Sequence, residues 1–349
     1  MTPRLNRRAA LGLGTTVAAG TVLAAGKAAV AAPASSATKA LTPPPVPSSL
    51  TPAQLRDYVA AVYKACSTAA GGTWNAQITV VGSDGTLMPA VQQRQDTVVE
   101  AYSVNKIAVA TAVLDKIDRG ELTLDQRVDV TDQIIQPISD GIFCLDQAYP
   151  SSITLGHVMA AMLTVSDDIA VRLCGLVCPG PEINEILVAK GFPNTQVEPV
   201  EGNPHRMYLG LTTPHEMHDL LHGLLNGTVI SASSADFLFS LIRSQIAFTD
   251  GIRQQMSSDE RARVATKAGW FDDARNEAGV IFDADGRPVL TYSMFAAGMA
   301  DPDNFGATHP ALEARAAMGR AWLSAVDNLS SPVAATRHAT PRHPMTNGG

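Results

Sequence analysis

Four short stretches of this chain carry residue types able to perform acyl-transfer chemistry. In Tyr102-Ser103-Val104-Asn105-Lys106 a serine precedes a lysine by three residues, the spacing that places two side chains on one helix face. A serine hydroxyl is a weak nucleophile until a base takes its proton, and a lysine held neutral by burial or nearby cations is such a base. An N-cap serine followed by a solvated lysine is the ordinary alternative for so common a pattern. Thr164-Val165-Ser166-Asp167-Asp168, beginning its serine 63 residues after Ser103, supplies a second hydroxyl between two apolar helical stretches. Lys267-Ala268-Gly269, 101 residues after Ser166, ends a short strand and leads into Trp270. Val197-Glu198-Pro199, with Glu201 and Asn203 close behind, offers a carboxylate that could activate water.

Other clusters are weaker. His215, His218 and His222 recur at helical spacing with Glu216 and Asp219, but His215-Glu216-Met217-His218 is not the His-Glu-x-x-His of zinc hydrolases. A polar helix face is expected there, with no metal and no cofactor. Ser139-Asp140-Gly141 imitates Ser166-Asp167 but lies beside Pro137 without a helical frame, so Ser166 is preferred. No Gly-x-Ser-x-Gly elbow occurs, which argues against an α/β-hydrolase.

The elements that must position these residues follow from periodicity and turn chemistry. Thr51-Pro52 opens a helix to about Ala70, Ala76–Gly82 is a β-branched strand before a Ser83-Asp84-Gly85 turn, and a second strand leads to Val98. Helices fit 103–118, 154–164, 168–177, 181–190, 213–226 and 233–245. Strands return at 263–267, 279–283 and 288–298, the last two joined by Asp285-Gly286, and a helix fits 309–329. The expected fold is α/β (α+β): an antiparallel sheet flanked by N- and C-terminal helices, with an inserted all-α subdomain and a cleft where the two meet. The α/β part comprises 51–100 and 255–328, and the all-α part 101–254.

Residues 1–34 open with Arg4, Arg7 and Arg8, continue through an Ala/Gly/Leu/Val run and end in small residues, the order of an export signal of twin-arginine type. The run is Gly-rich and interrupted by Lys27, so no stable membrane anchor is expected. Those residues carry four basic side chains and no acidic one, and their removal takes the formal net charge from −7 to −11. So acidic a protein is not expected to seek nucleic acid. Residues 35–50 read as a flexible leader and 329–349 as a disordered tail. Cys66, Cys144, Cys174 and Cys178 suit an extracellular chain with one or two disulfides, Cys144 to Cys174 or Cys178 foremost.

The order Ser-x-x-Lys, Ser-Asp-x, Lys-x-Gly on helix, interhelical loop and strand resembles the penicillin-recognising serine enzymes, and within them the class A β-lactamases. Asp115-Lys116-Ile117-Asp118-Arg119-Gly120-Glu121-Leu122 and Leu211-Thr212-Thr213-Pro214 extend the resemblance, which covers most of 50–328 and implies a β-lactamase/transpeptidase-like fold. It implies a monomeric enzyme acting on a small molecule or peptide with a lactam, amide or ester carbonyl. In that scheme Ser103 attacks the carbonyl, Lys106 or Glu198 through water takes its proton, and Ser166 beside Lys267 relays a proton to the leaving group. The N–H groups of Ser103 and Trp270 form the oxyanion hole. Glu198 then activates the deacylating water with Asn203 as helper, Glu201 being the rival base, while Asp168, Gly269, Trp270 and Arg275 line the substrate groove.

Three departures bear on the substrate. Asp168 replaces the family's usual Asn, and an ionised carboxylate accepts hydrogen bonds but donates none. Ala268 stands in place of Thr or Ser, removing a hydroxyl that would bind a β-lactam carboxylate. Trp270 and Phe271 crowd the same strand, and Arg275 could supply compensating charge or serve as a solvated loop arginine. Weak or atypical β-lactam hydrolysis is therefore expected. The alternative is a non-catalytic or slow-turnover binder of penicillins or cell-wall peptides.

Overall fold

The computed structural model describes residues 41–135 and 141–341; the expected signal segment and the Ser139-Asp140 pair lie outside them. Thr51 starts α1 (Pro52–Ala70) with a capping box: its hydroxyl accepts from the Gln54 N–H while the Gln54 side chain accepts from the Thr51 N–H. Strands β1 (Thr73–Val81) and β2 (Leu87–Gln93) form a hairpin, and β3 (Val99–Glu100) leads into a 3-10 turn, Tyr102–Asn105, and α2 (Lys106–Asp118). The insert continues with β4 (Arg127–Val130), α3 (Ile142–Leu145), β5 (Ser151–Thr154), α4 (Leu155–Thr164), α5 (Asp168–Val177) and α6 (Gly180–Ala189). A hairpin of β6 (Gln196–Val200) and β7 (Asn203–Thr212) follows, then α7 (Pro214–Leu225), α8 (Ala232–Ile242) and α9 (Ser258–Arg261). The chain returns through β8 (Val264–Phe271), β9 (Ala274–Phe282) and β10 (Pro288–Ala297) to α10 (Pro310–Asp327).

The principal sheet is antiparallel with strand order β2-β1-β10-β9-β8, so strands from both ends of the sequence are joined at β1 and β10. Helices α1 and α10 cover one face, and α7 with the helical insert covers the other. Double coverage explains why Trp74–Val81 and Pro288–Ala296 are buried throughout, the polar Asn75, Gln77, Thr79, Thr291 and Ser293 included. The turn between β9 and β10 places Gly286 at φ +83°, a conformation that glycine adopts without steric cost. Helix α2 is the centre of the insert: Lys106–Leu114 are all buried, the mark of a helix enclosed on every side.

The expected antiparallel sheet, terminal helices and helical insert are all present. The insert carries in addition the ladders β4–β5 and β3–β7–β6, whose strands lack long β-branched runs. The expected helix 103–118 begins with the 3-10 turn, which re-aims Ser103 relative to the α2 axis.

Two terminal expectations are corrected within the described residues. Residues 41–50 are anchored, not flexible: Leu50 is buried and exchanges backbone bonds with Asn328 and Ser330, and Tyr58 donates to the Pro44 carbonyl. The tail is docked as far as residue 341. Val333 is buried, the His338 N–H donates to Gly286, and Arg243 donates to the Ala339 carbonyl and the Thr340 hydroxyl. Neither terminal stretch has helix or strand periodicity; backbone and arginine hydrogen bonds hold them instead. The expected disulfide is also absent among the described residues. Cys174 is enclosed on α5 against Met162 and Cys178 ends that helix in the core, while Cys144 lies on the separate α3 turn.

A buried ion pair locks the strands behind the cleft. Glu277 on β9 and Arg315 on α10 are 0% and 1% exposed and meet at 3.2 Å. Glu277 also accepts from the Thr266 hydroxyl on β8 at 2.6 Å and from the Ile252 N–H. Removing one member leaves a charge without compensation in the interior. Glu277→Ala is expected to lower unfolding free energy by about 3–5 kcal/mol, read as a reduced urea midpoint; an unchanged midpoint would show that the pair does not brace the sheet.

Candidate active site

Ser103 lies in the 3-10 turn between β3 and α2. The turn is fixed from three sides. Tyr102 has φ +49°, and the Ala101 N–H donates to the Gly210 carbonyl on β7 at 2.8 Å. Buried Asn105 donates to the Leu209 and Leu211 carbonyls at 2.7 and 2.9 Å, and Asn276 on β9 donates to the Glu100 carbonyl at 2.9 Å. Gly269 on β8 passes so close that a Cβ there would stand 2.6 Å from the Ser103 nitrogen and 2.8 Å from the Val104 nitrogen. Only glycine lets β8 approach the N–H groups at the nucleophile turn. Because β8 is the outer strand, alternate N–H groups along it point away from β9. Among the described residues the Ser103 hydroxyl has no hydrogen-bond partner, so it is available to a substrate.

Lys106, 0% exposed, opens α2. Its Nζ lies 2.7 Å from Asp168 Oδ1, 3.0 Å from Ser166 Oγ and 2.5 Å from the Ser166 carbonyl. Three acceptors match the three protons of an ammonium. Lys267, 2% exposed on β8, places Nζ 2.9 Å from Ser166 Oγ and 2.9 Å from the Ala268 carbonyl. Burial first, and the Lys106 charge second, hold Lys267 well below the usual lysine range; Asp168 and Glu277 oppose the shift. The Ser166 hydroxyl thus sits between a lysine paired with a carboxylate and one biased toward the neutral amine.

Ser166 occupies the loop between α4 and α5 with φ +60°, a conformation costing a non-glycine residue about 1–3 kcal/mol. Asp167 holds it there. Its buried carboxylate caps α5 through the Ala170 N–H at 2.9 Å and accepts from the Phe143 N–H at 3.0 Å, while burial pushes its pKa up against those bonds. Asp168 is the first residue of α5, where the helix dipole favours a carboxylate.

Beside Ser166 and Lys267 lies a cavity of about 200 Å³ lined also by Val165, Phe248, Asp250 and Trp270. The Phe248 and Trp270 rings pack at 5.6 Å, Tyr102 and Phe271 at 5.8 Å, and Ile246 and Phe271 are exposed at the mouth. A larger open groove between α1 and β2, about 640 Å³, is lined by Lys64 and Ser67, which share no hydrogen bond among the described residues.

The structure therefore groups Lys106, Ser166, Asp168 and Lys267, with Gly269 against the Ser103 turn and Trp270 on the cavity wall. Other expected residues lie elsewhere. Glu198 is exposed on β6, opposite Tyr208 on β7, and among the described residues no ion pair joins it to Lys106. Glu201 and Gly202 form the hairpin turn, and Asn203 accepts from the His205 N–H outside the site. The expected water-activating loop is thus a pleated hairpin whose register turns Glu198 to solvent. Arg275 is neither a groove residue nor a solvated one: it is 2% exposed and donates to the carbonyls of Asp272, Ala274, Pro302 and Asn304. Four neighbouring carbonyls take its Nη1 and Nη2 donors, while Nε is buried without a partner among the described residues. Asn105, Asn276, Phe248 and Asp250 were not legible as site residues; the two asparagines act through backbone carbonyls distant in sequence, and segment 246–257 carries no periodic signal.

The description matching residues 54–326 is that of the Beta-lactamase enzyme family. The chain belongs to this family. It is 23% identical over 206 residues to β-lactamase VEB-1 of Pseudomonas aeruginosa, covering 56% of this chain and 69% of that protein. A β-lactamase from Xanthomonas campestris superposes with TM-score 0.64 at 21% identity, covering 78% of this chain and 98% of the other. An ancestral class A β-lactamase of Gram-negative bacteria gives TM-score 0.60 at 21% identity, covering 78% and 100%. The fold is thus that of a class A β-lactamase, with Ser103 in the 3-10 turn that leads into the helix opened by Lys106.

The histidine cluster of this β-lactamase-family chain is packing. His218 bonds Thr79 at 2.9 Å and Asp219 at 3.0 Å, His215 pairs with Asp96 and Asp219, and the His218 and His222 rings meet at 4.8 Å. Among the described residues no group of side chains is arranged for a metal, and no helix is long and apolar enough to cross a membrane. Burial, then the neighbouring His218, lowers His222 from 6.5 to about 4, with Asp219 opposing. The unfolded chain binds this proton more readily, so stability falls as pH drops from about 6.5 to about 4. His222→Gln should flatten that limb by up to about 3 kcal/mol in urea titrations at successive pH values; an unaltered slope would contradict the assignment.

Proposed function

We propose that this chain is an exported serine hydrolase that forms an acyl-enzyme on Ser103, preferring neutral esters or amides to carboxylated β-lactams. The observation that carries the reading is the Ser166 hydroxyl held at 3.0 and 2.9 Å between two buried lysines, next to the turn that presents Ser103. Ser103 attacks the carbonyl; its proton passes to the Ser166–Lys267 pair, where the amine biased toward neutrality receives it, and returns to the leaving group by the same route. Lys106, with its protons taken by Asp168 and Ser166, stabilises negative charge building up at Ser103. The N–H groups of Ser103 and Trp270 hold the carbonyl oxygen. The Arg7-Arg8 pattern and small-residue run of residues 1–34 support export.

Substrate preference follows from what faces the cavity. Ala268 offers no hydroxyl, Arg275 is committed to carbonyls, and Asp250 adds a carboxylate beside Lys267. A substrate carboxylate would meet like charge and lack charge-assisted donors, whereas Phe248, Trp270 and Ile246 suit an apolar group. The Lys106–Asp168 ion pair at 2.7 Å favours a second reading, a slow-turnover binder, because it holds that lysine in the form unable to accept a proton.

Ser103→Ala should abolish covalent labelling by a fluorophosphonate probe, followed by intact mass; labelling that persists would remove Ser103 as nucleophile. A neutral p-nitrophenyl ester should also exceed a carboxylated chromogenic cephalosporin in kcat/KM by about tenfold or more, the worth of one charge-assisted bond. The reverse order would refute the proposed preference, and a trapped adduct without turnover would select the slow-turnover reading.

A further inference from the structure

We propose that Asp168 is the general base of deacylation, a role that rests on the acyl-enzyme reading above. Among the described residues it is the carboxylate within ion-pair distance of Lys106. Its two oxygens have different surroundings. Oδ1 is tied to Lys106 Nζ at 2.7 Å, while Oδ2 has no protein partner among the described residues and the side chain is 49% exposed. One oxygen fixed and the other open to solvent is the arrangement that orients a water for attack. Asp168 also begins α5, so its backbone is set by the Asp167 cap and cannot drift from the cleft without unwinding the helix start. The usual family residue here, Asn, has no basic oxygen of comparable strength, and Glu198 faces solvent on β6. The substitution that removes a donor to substrate thereby supplies a base where the hairpin withholds one.

The step balances with water as co-reactant. Water on Oδ2 attacks the acyl carbon of the Ser103 ester; the new C–O bond forms as the water proton moves to the Asp168 carboxylate. Collapse of the tetrahedral intermediate breaks the bond from carbon to Ser103 Oγ. Oγ takes a proton from the Lys106 ammonium, and the proton on Asp168 Oδ2 returns to the Lys106 amine through solvent at the exposed side of the carboxyl group. The products are the carboxylic acid and free Ser103, with Asp168 again ionised.

The test uses p-nitrophenyl acetate with the full-length exported protein, reading nitrophenolate release and the acetyl-enzyme by intact mass. Asp168→Asn should keep the stoichiometric burst, accumulate the acetyl adduct and lose roughly 100-fold or more in steady-state rate. Formate should restore part of that rate to Asp168→Ala, which a purely structural role would not allow, and Glu198→Gln should deacylate as the parent does. Parental turnover in Asp168→Asn would overturn the proposal. Loss of the burst in that variant would overturn it too, by placing Asp168 in acylation. A parent that forms no adduct at all would instead remove the acyl-enzyme reading, and this proposal with it.

Discussion

Two buried lysine amines share one serine hydroxyl, and the rest of the cleft is arranged around that constraint. Two ammonium groups so close in a poorly solvating interior repel each other and forgo hydration. The conflict is relieved by asymmetry. Lys106 is given a carboxylate, a carbonyl and a hydroxyl, while Lys267 is given burial and the repulsion of its neighbour. An amine paired with a carboxylate and an amine biased toward the neutral form then stand on opposite sides of Ser166.

Maintaining that geometry makes demands on distant parts of the chain. Ser166 is held in a left-handed conformation by the Asp167 cap, and β8 carries Lys267 into place because Glu277, Thr266 and Arg315 tie it to β9 and α10. The Ser103 turn is gripped by carbonyls of β7 through Asn105 and by Asn276 from the sheet. The helical insert and the sheet thus each contribute one lysine, and the cleft is where their separate cores meet.

Much of this was legible in the sequence, for definable reasons. The antiparallel sheet and its flanking helices followed from turn signals such as Asp285-Gly286 and from helical periodicity, both local properties. That Lys106, Ser166 and Lys267 come together was legible because each is marked by its residue type and by the end of the element that carries it. Glu198, Asn203 and Arg275 were misread because residue type says nothing about which way a pleat turns or which carbonyls a guanidinium meets. The tail to residue 341 was misread because its order comes from Arg243 and Gly286, remote in sequence. Asp168 was legible as a departure from the family pattern, but its pairing with Lys106 through one oxygen only was not.

The cleft couples the Ser103 turn to particular surroundings: Ala268 without a hydroxyl, Arg275 drawn into the fold, Asp168 and Asp250 adding negative charge. The unequal charge of the two lysines is the feature on which the mechanism stands. It is measured most directly by titrating ε-carbon-labelled lysines by NMR in the parent, Lys106→Met and Lys267→Met proteins. The account predicts a resonance, absent from Lys267→Met, that titrates well below the ordinary lysine pKa of 10.5 and moves back up in Lys106→Met, where the neighbouring charge is gone. A Lys267 resonance that titrates in the ordinary range, or is indifferent to Lys106, would contradict it.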